Sequence, residues 1–260
     1  MSNGNLSIER DGPIGYVVLD NPPRRNAISA AMWRTFPAVL TELGDDPTVR
    51  CIVLRGAGDI AFAAGADISE FENNRADADG AHNYEAATAA AHHALETTLK
   101  PVIAQIRGFC IGGGLAVALS CDMRYCADDS QFAIPAARLG LGYGLHGHRR
   151  LVATVGHAAA REIMFSARRY DALAAHALGL VNRVLPVAEL EAYVRALGMD
   201  LAANAPLTQA ASKAAINAVI AEQGDFKQCA ALIGRCMASA DYREGRTAFM
   251  EKRKPNFAGR

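Results

Sequence analysis

Apolar positions in the first half of the chain fall in short runs bounded by turn residues. Leu6–Arg10 and Gly15–Asp20 flank Asp11-Gly12-Pro13 and predict a hairpin. Cys51–Arg55 (CIVLR) and Val102–Ile106 (VIAQI) are near-continuous apolar runs with β-branched residues, the pattern of buried strands. Tyr125 and Gln131–Ile134 lie in further strand-like pieces. Ser29 is placed to cap a helix over Ala30–Leu43, which Gly44 and Asp45-Asp46-Pro47 end. A second helix is predicted over Ala81–Leu99, stopped by Lys100-Pro101, and a short third over Gly113–Ser120. Gly56–Gly65 and Arg107–Gly112 read as a small-residue loop and a turn. After about residue 145 helical patterns dominate: Arg149–Val155, Ala158–Phe165, Asp171–Leu178, Leu190–Ala203, Pro206–Ala221 and Phe226–Ala238. The order predicts an α/β core followed by a helical C-terminal region. No sequence repeat or linker composition interrupts it.

The 260 residues are enough for one large domain, or a main domain with an appendage. Of these, 52 are alanine, so much of the 51% hydrophobic content is small helix former. The 27 basic and 27 acidic side chains balance, which argues against a general nucleic-acid binder. No apolar run is long enough to span a membrane, and the polar start lacks the apolar stretch of a secretory signal. Six cysteines without a C-x-x-C pair read as small buried hydrophobes in a reducing, cytoplasmic compartment.

Two glycine-bearing clusters carry the candidate chemistry. Ala61-Phe-Ala-Ala-Gly-Ala-Asp-Ile68 follows the CIVLR strand, and Gly108-Phe-Cys-Ile-Gly-Gly-Gly-Leu115 joins the VIAQI strand to a helix. Successive glycines at a helix entrance admit a ligand close to the backbone and leave N–H groups at the positive end of the helix dipole. A further N–H from the Ala64-Gly65-Ala66 loop would complete a two-donor oxyanion hole if the loops meet. The alternative is that the three glycines merely permit tight helix–strand packing. The AFAAGAD loop, one strand–helix unit earlier, is what turns the reading toward a ligand.

As a set, AFAAGADI, KPVIAQIRGFCIGGGLAVALSCDMRYC, the GLVNRV stretch at 179–184 with Pro186, and the terminal FMEKRKPNF resemble the crotonase (enoyl-CoA hydratase/isomerase) superfamily, over roughly residues 6–257. The resemblance implies a ββα spiral core over residues 1–200 and a helical oligomerisation region over 201–260. It also implies a homotrimer or dimer of trimers. Acyl-CoA thioesters would be the substrates, with no separate cofactor and no metal. By position, the Ala66 and Gly113 amides would form the oxyanion hole. Arg25, Ala27, Ala64, Asp67, Ile68, Gly112 and Pro135 would line the substrate. Phe249 and Lys252 match terminal residues that reach a neighbouring subunit's CoA, where a lysine would meet a phosphate.

The chain departs from the family's hydratases at two positions. These carry one glutamate two residues after the glycine triplet and another after the proline of the following strand; here Ala116 and Ala136 stand there. Hydration needs a base for water and an acid for the α-carbon, each contributing about 10²–10⁴-fold. Replacement candidates lie in Arg138–Arg150, where Tyr143 and His146 stand at usual proline and glycine positions. Tyr143 resembles the methylmalonyl-CoA decarboxylase pattern, although that branch keeps a glutamate at the position of Ala116. Loss of CO₂ generates an enolate without a base; Tyr143 could orient the carboxylate and His146 protonate the carbanion. Tyr143 as a wall residue and His146 and His148 as loop surface are the alternatives, as is a non-catalytic acyl-CoA-binding subunit. Gly142–Gly147 also satisfies G-x-G-x-x-G, but no predicted strand leads into it, which disfavours a dinucleotide site. Glu85 and Glu96 on the second helix are the remaining carboxylates that could reach the site.

Overall fold

The structure is a computed structural model describing residues 4–67, 70, 78–221 and 224–260. In chain order its elements begin with β1 (Asn5–Asp11), β2 (Ile14–Asp20), α1 (Ala30–Asp45), β3 (Cys51–Gly56), β4 (Ala61–Ala63) and α2 (Ala78–Thr97). There follow β5 (Val102–Ile106), β6 (Phe109–Ile111), α3 (Gly113–Ser120), β7 (Met123–Ala127), β8 (Gln131–Ala133), α4 (Ala136–Leu139) and α5 (Leu145–Ser166). The chain ends with β9 (Tyr170–Asp171), α6 (Ala172–Ala177), β10 (Arg183–Leu185), α7 (Val187–Ala203), α8 (Pro206–Ile220), α9 (Phe226–Ala238) and α10 (Ala240–Met250).

Two sheets share the strands alternately. One has the order β1-β2-β3-β5-β7-β10, the other β4-β6-β8-β9. Thus β3, β5 and β7 lie parallel in the first sheet, and the strand after each, β4, β6 or β8, joins the second before the chain turns helical. Because β4, β6 and β8 of this ββα spiral are neighbours in the second sheet, the residues that leave each strand start side by side at one end of it. The predicted hairpin is present, with Asp11 opposite Ile14. Strand β2 is buried on both faces, which explains its unbroken apolar run. Val17 and Leu19 pack with Trp33, Phe36 and Leu43 of α1, while Ile14 and Tyr16 pack with Leu190 and Val194 of α7.

Ser29 caps α1 as expected, its hydroxyl accepting from Met32 N at 3.2 Å. The loop over Gly56–Gly65 and the turn over Arg107–Gly112 each contain a three-residue strand, β4 and β6, too short to show a period of their own. The segment with His146 and His148 is not a loop: α5 starts at Leu145, behind Gly144 with φ −65° and ψ 148°. Gly156 interrupts that helix with φ 75°, so the two predicted pieces are its two halves. A helix, α4, rather than a strand, precedes Gly142–Gly147, against a dinucleotide fingerprint. Five cysteines are buried and Cys236 is partly exposed; burial holds the Cys51, Cys121 and Cys126 thiols up at about 12. Among the described residues no helix is long and apolar enough to cross a membrane.

Helix α3 presses directly on β4, and Gly114 makes this possible. A Cβ there would stand 2.4 Å from Ala63 O and 2.7 Å from Ala63 Cβ. Alanine normally favours a helix interior by about 1 kcal/mol over glycine. Gly114→Ala is nevertheless expected to destabilise the fold by roughly 1–3 kcal/mol through overpacking. The denaturant midpoint of the variant tests this.

Candidate active site

The Ala64–Asp67 loop is fixed by a parallel bridge between Ile28 and Ala66. Ile28 N–H donates to Gly65 O at 2.8 Å, and Asp67 N–H donates to Ile28 O at 3.0 Å. Ala64 N–H adds a bond to Arg25 O at 2.9 Å. This alternation uses the peptides on either side of Ala66 and turns Ala66 N–H to the opposite side. Opposite stands the entrance of α3. Gly112 has φ 53° and ψ −115°, a conformation that L side chains rarely adopt, and supplies no side-chain cap. Gly113 is the first helical residue, where an N–H has no partner in its own helix. A Cβ on Gly113 would lie 3.2 Å from Ala66 N, so the two loops meet. Among the described residues neither Ala66 N–H nor Gly113 N–H has an acceptor.

The two amides open into a cavity of about 90 Å³. The structure brings Ala64, Ala66, Gly112, Gly113, Pro135 and Tyr143 together there, all expected from the sequence. Gly65, Ile111, Ile134, Ala136, Leu139 and Leu141 complete the lining. Of these, Ile111 on β6, Ile134 just after β8, Leu139 on α4 and Leu141 beyond it were not singled out beforehand. Their one signal was position, directly beside the glycine triplet and Pro135. No carboxylate, imidazole or amine stands among the described lining residues. Tyr143 Oη is buried without a partner among the described residues, and burial pushes its ionisation well above the ordinary phenol range. The ring meets His148 edge-on at 5.4 Å, and His148 Nδ1 lies 3.1 Å from Gly144 O.

Other expected site residues lie elsewhere. Ala27 is buried, its carbonyl accepting from Asn21 Nδ2 at 2.9 Å. Asp67 is buried under Arg24, whose Nη1 reaches both carboxylate oxygens at 2.6 and 2.8 Å. Arg25 is exposed, with its guanidinium carbon 5.0 Å from the Phe109 ring centre. Ile68 lies outside the described residues. Phe249 is 82% exposed and borders a separate cavity of about 540 Å³ with Leu207, Tyr242 and Phe257. Lys252 follows α10 with φ 54°.

His146 does not line the cavity. Its ring lies 5.0 Å from that of His92, which lies 5.5 Å from Trp33, whose Nε1 donates to Tyr84 Oη at 3.1 Å. His146 Nε2 is 3.0 Å from Glu96 Oε1, and Arg150 Nε donates to the same oxygen. The proton-donor role expected of His146 is therefore unsupported by its position, and Glu96 is engaged behind the wall rather than in the cavity. Glu85 is exposed. Burial alone would raise the Glu96 carboxyl, but the bonds from His146 and Arg150 hold it down at about 2. His92 is buried, and desolvation first, then the neighbouring His146, lowers its imidazole to about 4. Ser120 Oγ donates to Ala116 O at 3.2 Å and lies 2.9 Å from His92 Nδ1. The network thus assigns the neutral ring its proton on Nδ1.

The model of the enoyl-CoA hydratase/isomerase family matches residues 9–260. The short-chain-enoyl-CoA hydratase of Clostridium acetobutylicum is 33% identical over 98% of this chain and 97% of its own. The crotonyl-CoA hydratase of Syntrophomonas wolfei is 33% identical over 99% of each. A crystal structure of an enoyl-CoA hydratase/carnithine racemase from Magnetospirillum magneticum superposes with a TM-score of 0.91 at 35% identity, over 100% of this chain and 97% of that one.

The buried network makes acid stability testable. His92 is lowered in the fold, so its contribution is complete above its ordinary value of 6.5 and is lost as pH falls toward about 4. Glu96 is likewise lowered, so its contribution is lost below 4.5, toward about 2. The melting temperature is expected to fall in two stages, each at most about 1.4 kcal/mol per pH unit. In His92→Asn, the stage between pH 6.5 and about 4 should vanish while the lower one stays. Thermal scans across pH 3–7.5 read both.

Proposed function

Since the chain belongs to the enoyl-CoA hydratase/isomerase family, we propose that Ala66 and Gly113 amides hold the carbonyl oxygen of an acyl-CoA thioester. The acyl group then enters the small apolar cavity. The observation that carries this is the pair of adjacent, outward N–H groups at its mouth. Charge gathering on the thioester oxygen meets two fixed donors and the positive end of α3 in a desolvated site, where each donor lost typically costs about 10²–10³-fold.

Within that chemistry, decarboxylation of a malonyl-type thioester fits the cavity better than hydration. Ala116 and Ala136 stand where the resemblance places glutamates, and no other carboxylate is among the described lining residues. In the proposed step the bond between the α-carbon and the carboxylate breaks. Its electron pair passes to the α-carbon and onto the thioester oxygen, and CO₂ leaves. The apolar walls of Ile134, Leu139 and Leu141 favour this, because the localised charge of a carboxylate becomes a delocalised enolate. Tyr143 keeps its proton and can donate a hydrogen bond to the departing carboxylate. The α-carbon finally takes up a proton from solvent, passed through the Tyr143 hydroxyl, which gains one proton as it gives one and so stays a phenol. The exposed Phe249 and Met250 on the C-terminal face are in keeping with a homotrimer or dimer of trimers.

An acyl-CoA panel tests the proposal. Malonyl-CoA or methylmalonyl-CoA should release CO₂, and crotonyl-CoA should keep its conjugated thioester absorbance. Tyr143→Phe is expected to lower CO₂ release by roughly 10²-fold at unchanged fold stability. Turnover of crotonyl-CoA at ordinary hydratase rates would overturn the decarboxylase reading. Tight binding of CoA esters without any turnover would favour a non-catalytic binding subunit instead.

A further inference from the structure

The three glycines around the start of α5 are not equivalent. A side chain on Gly142 or Gly144 would meet open space, and neither has a positive φ. Gly147 differs. It is the third residue of α5, a place where almost any other residue would favour the helix more. Yet a Cβ there would stand 3.0 Å from Tyr143 Cζ and 3.2 Å from Cδ1, and nearer still to Cε1. The Tyr143 ring therefore occupies the space that a side chain at 147 would fill.

Helix-start geometry explains how the ring comes to lie there. Gly144 caps α5 in extended backbone, so Tyr143 is the residue just before the cap. An apolar side chain at that place packs back on the fourth helical residue and sets the angle at which the chain enters the helix. Here the fourth residue is His148, whose ring meets that of Tyr143 edge-on at 5.4 Å. The helix itself is held elsewhere. His146 Nε2 and Arg149 Nη2 lie 3.0 and 3.7 Å from the Glu96 carboxylate on α2, Arg150 Nε donates to it, and Leu151 is fully buried. With α5 fastened in this way, a side chain at 147 leaves the Tyr143 ring as the part that moves, by about 1 Å to restore ordinary contact. At the far end of that ring is the buried hydroxyl, and the residue lines the same cavity as Ala66 and Gly113.

We propose that Gly147 is a positioning residue: by carrying no side chain it seats the Tyr143 ring, and the seat holds the phenol hydroxyl in the cavity with the oxyanion pair. Its part in the reaction rests on the decarboxylase reading above; the seat itself does not. A hydroxyl that meets first the departing carboxylate and then the α-carbon tolerates little displacement, and a shift of about 1 Å can cost about 10²-fold. Local helix preference and placement of the ring thus conflict at residue 147, as they do at functional sites.

Fluorine NMR of the full chain labelled with 3-fluorotyrosine reads the seat without turnover, the Tyr143 signal being the one missing from Tyr143→Phe. Gly147→Ala should move that signal, leave those of the other six tyrosines in place, and keep or raise the melting temperature. Release of CO₂ from malonyl-CoA or methylmalonyl-CoA should fall about 10²-fold, and Gly147→Ala added to Tyr143→Ala should cost nothing further. An unmoved signal overturns the seat. A moved signal with wild-type CO₂ release, or an equal further loss in the Tyr143→Ala chain, overturns the positioning role. A wild type that releases no CO₂ while the signal moves overturns the decarboxylase reading, and the part in the reaction with it, and leaves the seat standing. Should Gly147→Ala alone not fold, folding restored by Tyr143→Ala supports the seat, and failure of the double variant overturns it.

Discussion

Two peptide N–H groups left without partners organise this molecule. Ile28 takes one bond from the Ala64–Asp67 loop and gives one back, and that alternation is what aims Ala66 N–H outward. Across from it, Gly112 bends the chain so that Gly113 opens a helix with nothing capping it. Both Ala66 and Gly113 are half-buried, and an amide withdrawn from water without a partner costs roughly 1–3 kcal/mol. Two side by side persist because rigid elements hold both loops: Asn26 ties the segment that bonds the first loop to Ala57 and Ala61, and Gly114 lets α3 lie directly on β4. A carbonyl oxygen placed between the two hydrogens would satisfy both at once, more so as it becomes negative.

The three glycines of the triplet divide this work. Gly112 supplies a φ of 53°, Gly113 brings an amide beside Ala66, and Gly114 admits the backbone of Ala63. None of these needs is interchangeable, since one is a dihedral, one a proximity and one a contact distance. The same segment therefore reads as a ligand loop and as a packing device, and it is both.

What was legible in the letters follows from where each constraint resides. Cys51–Arg55 and Val102–Ile106 are visible as strands because burial on two faces leaves an unbroken apolar run. Gly113–Ser120 and Phe226–Ala238 show their ends locally, through glycine and an acidic cap. Strands β4, β6 and β8 are three residues each, and their pairing partners are distant in sequence. Hence the second sheet, and with it the spiral repetition, could be reached through family resemblance but not through periodicity. The amide pair was legible because glycine marks backbone geometry directly. The position of His146 was not. Once α5 begins at Leu145, Tyr143 remains on the preceding segment and enters the cavity, whereas His146 follows the helix toward Glu96. Three glycines within Gly142–Gly147 concealed that helix start.

The lining also constrains which electrons can move. Its polar inventory among the described residues is two amide hydrogens and a phenol that keeps its proton far above neutrality. Titratable groups are nearby, but they satisfy one another behind the wall: His92 with Ser120, and Glu96 with His146 and Arg150. A cavity furnished with donors and no base stabilises negative charge without generating it. In the proposed reading the substrate must supply the electron pair itself, from a bond that breaks to give a neutral fragment. A carboxylate on the α-carbon meets that requirement, and its attraction to the same donors orients it before the bond breaks. Water as a nucleophile does not, because nothing in the lining would take its proton. On this reasoning the two alanines are the condition under which an enolate-holding site favours carbon–carbon cleavage over addition.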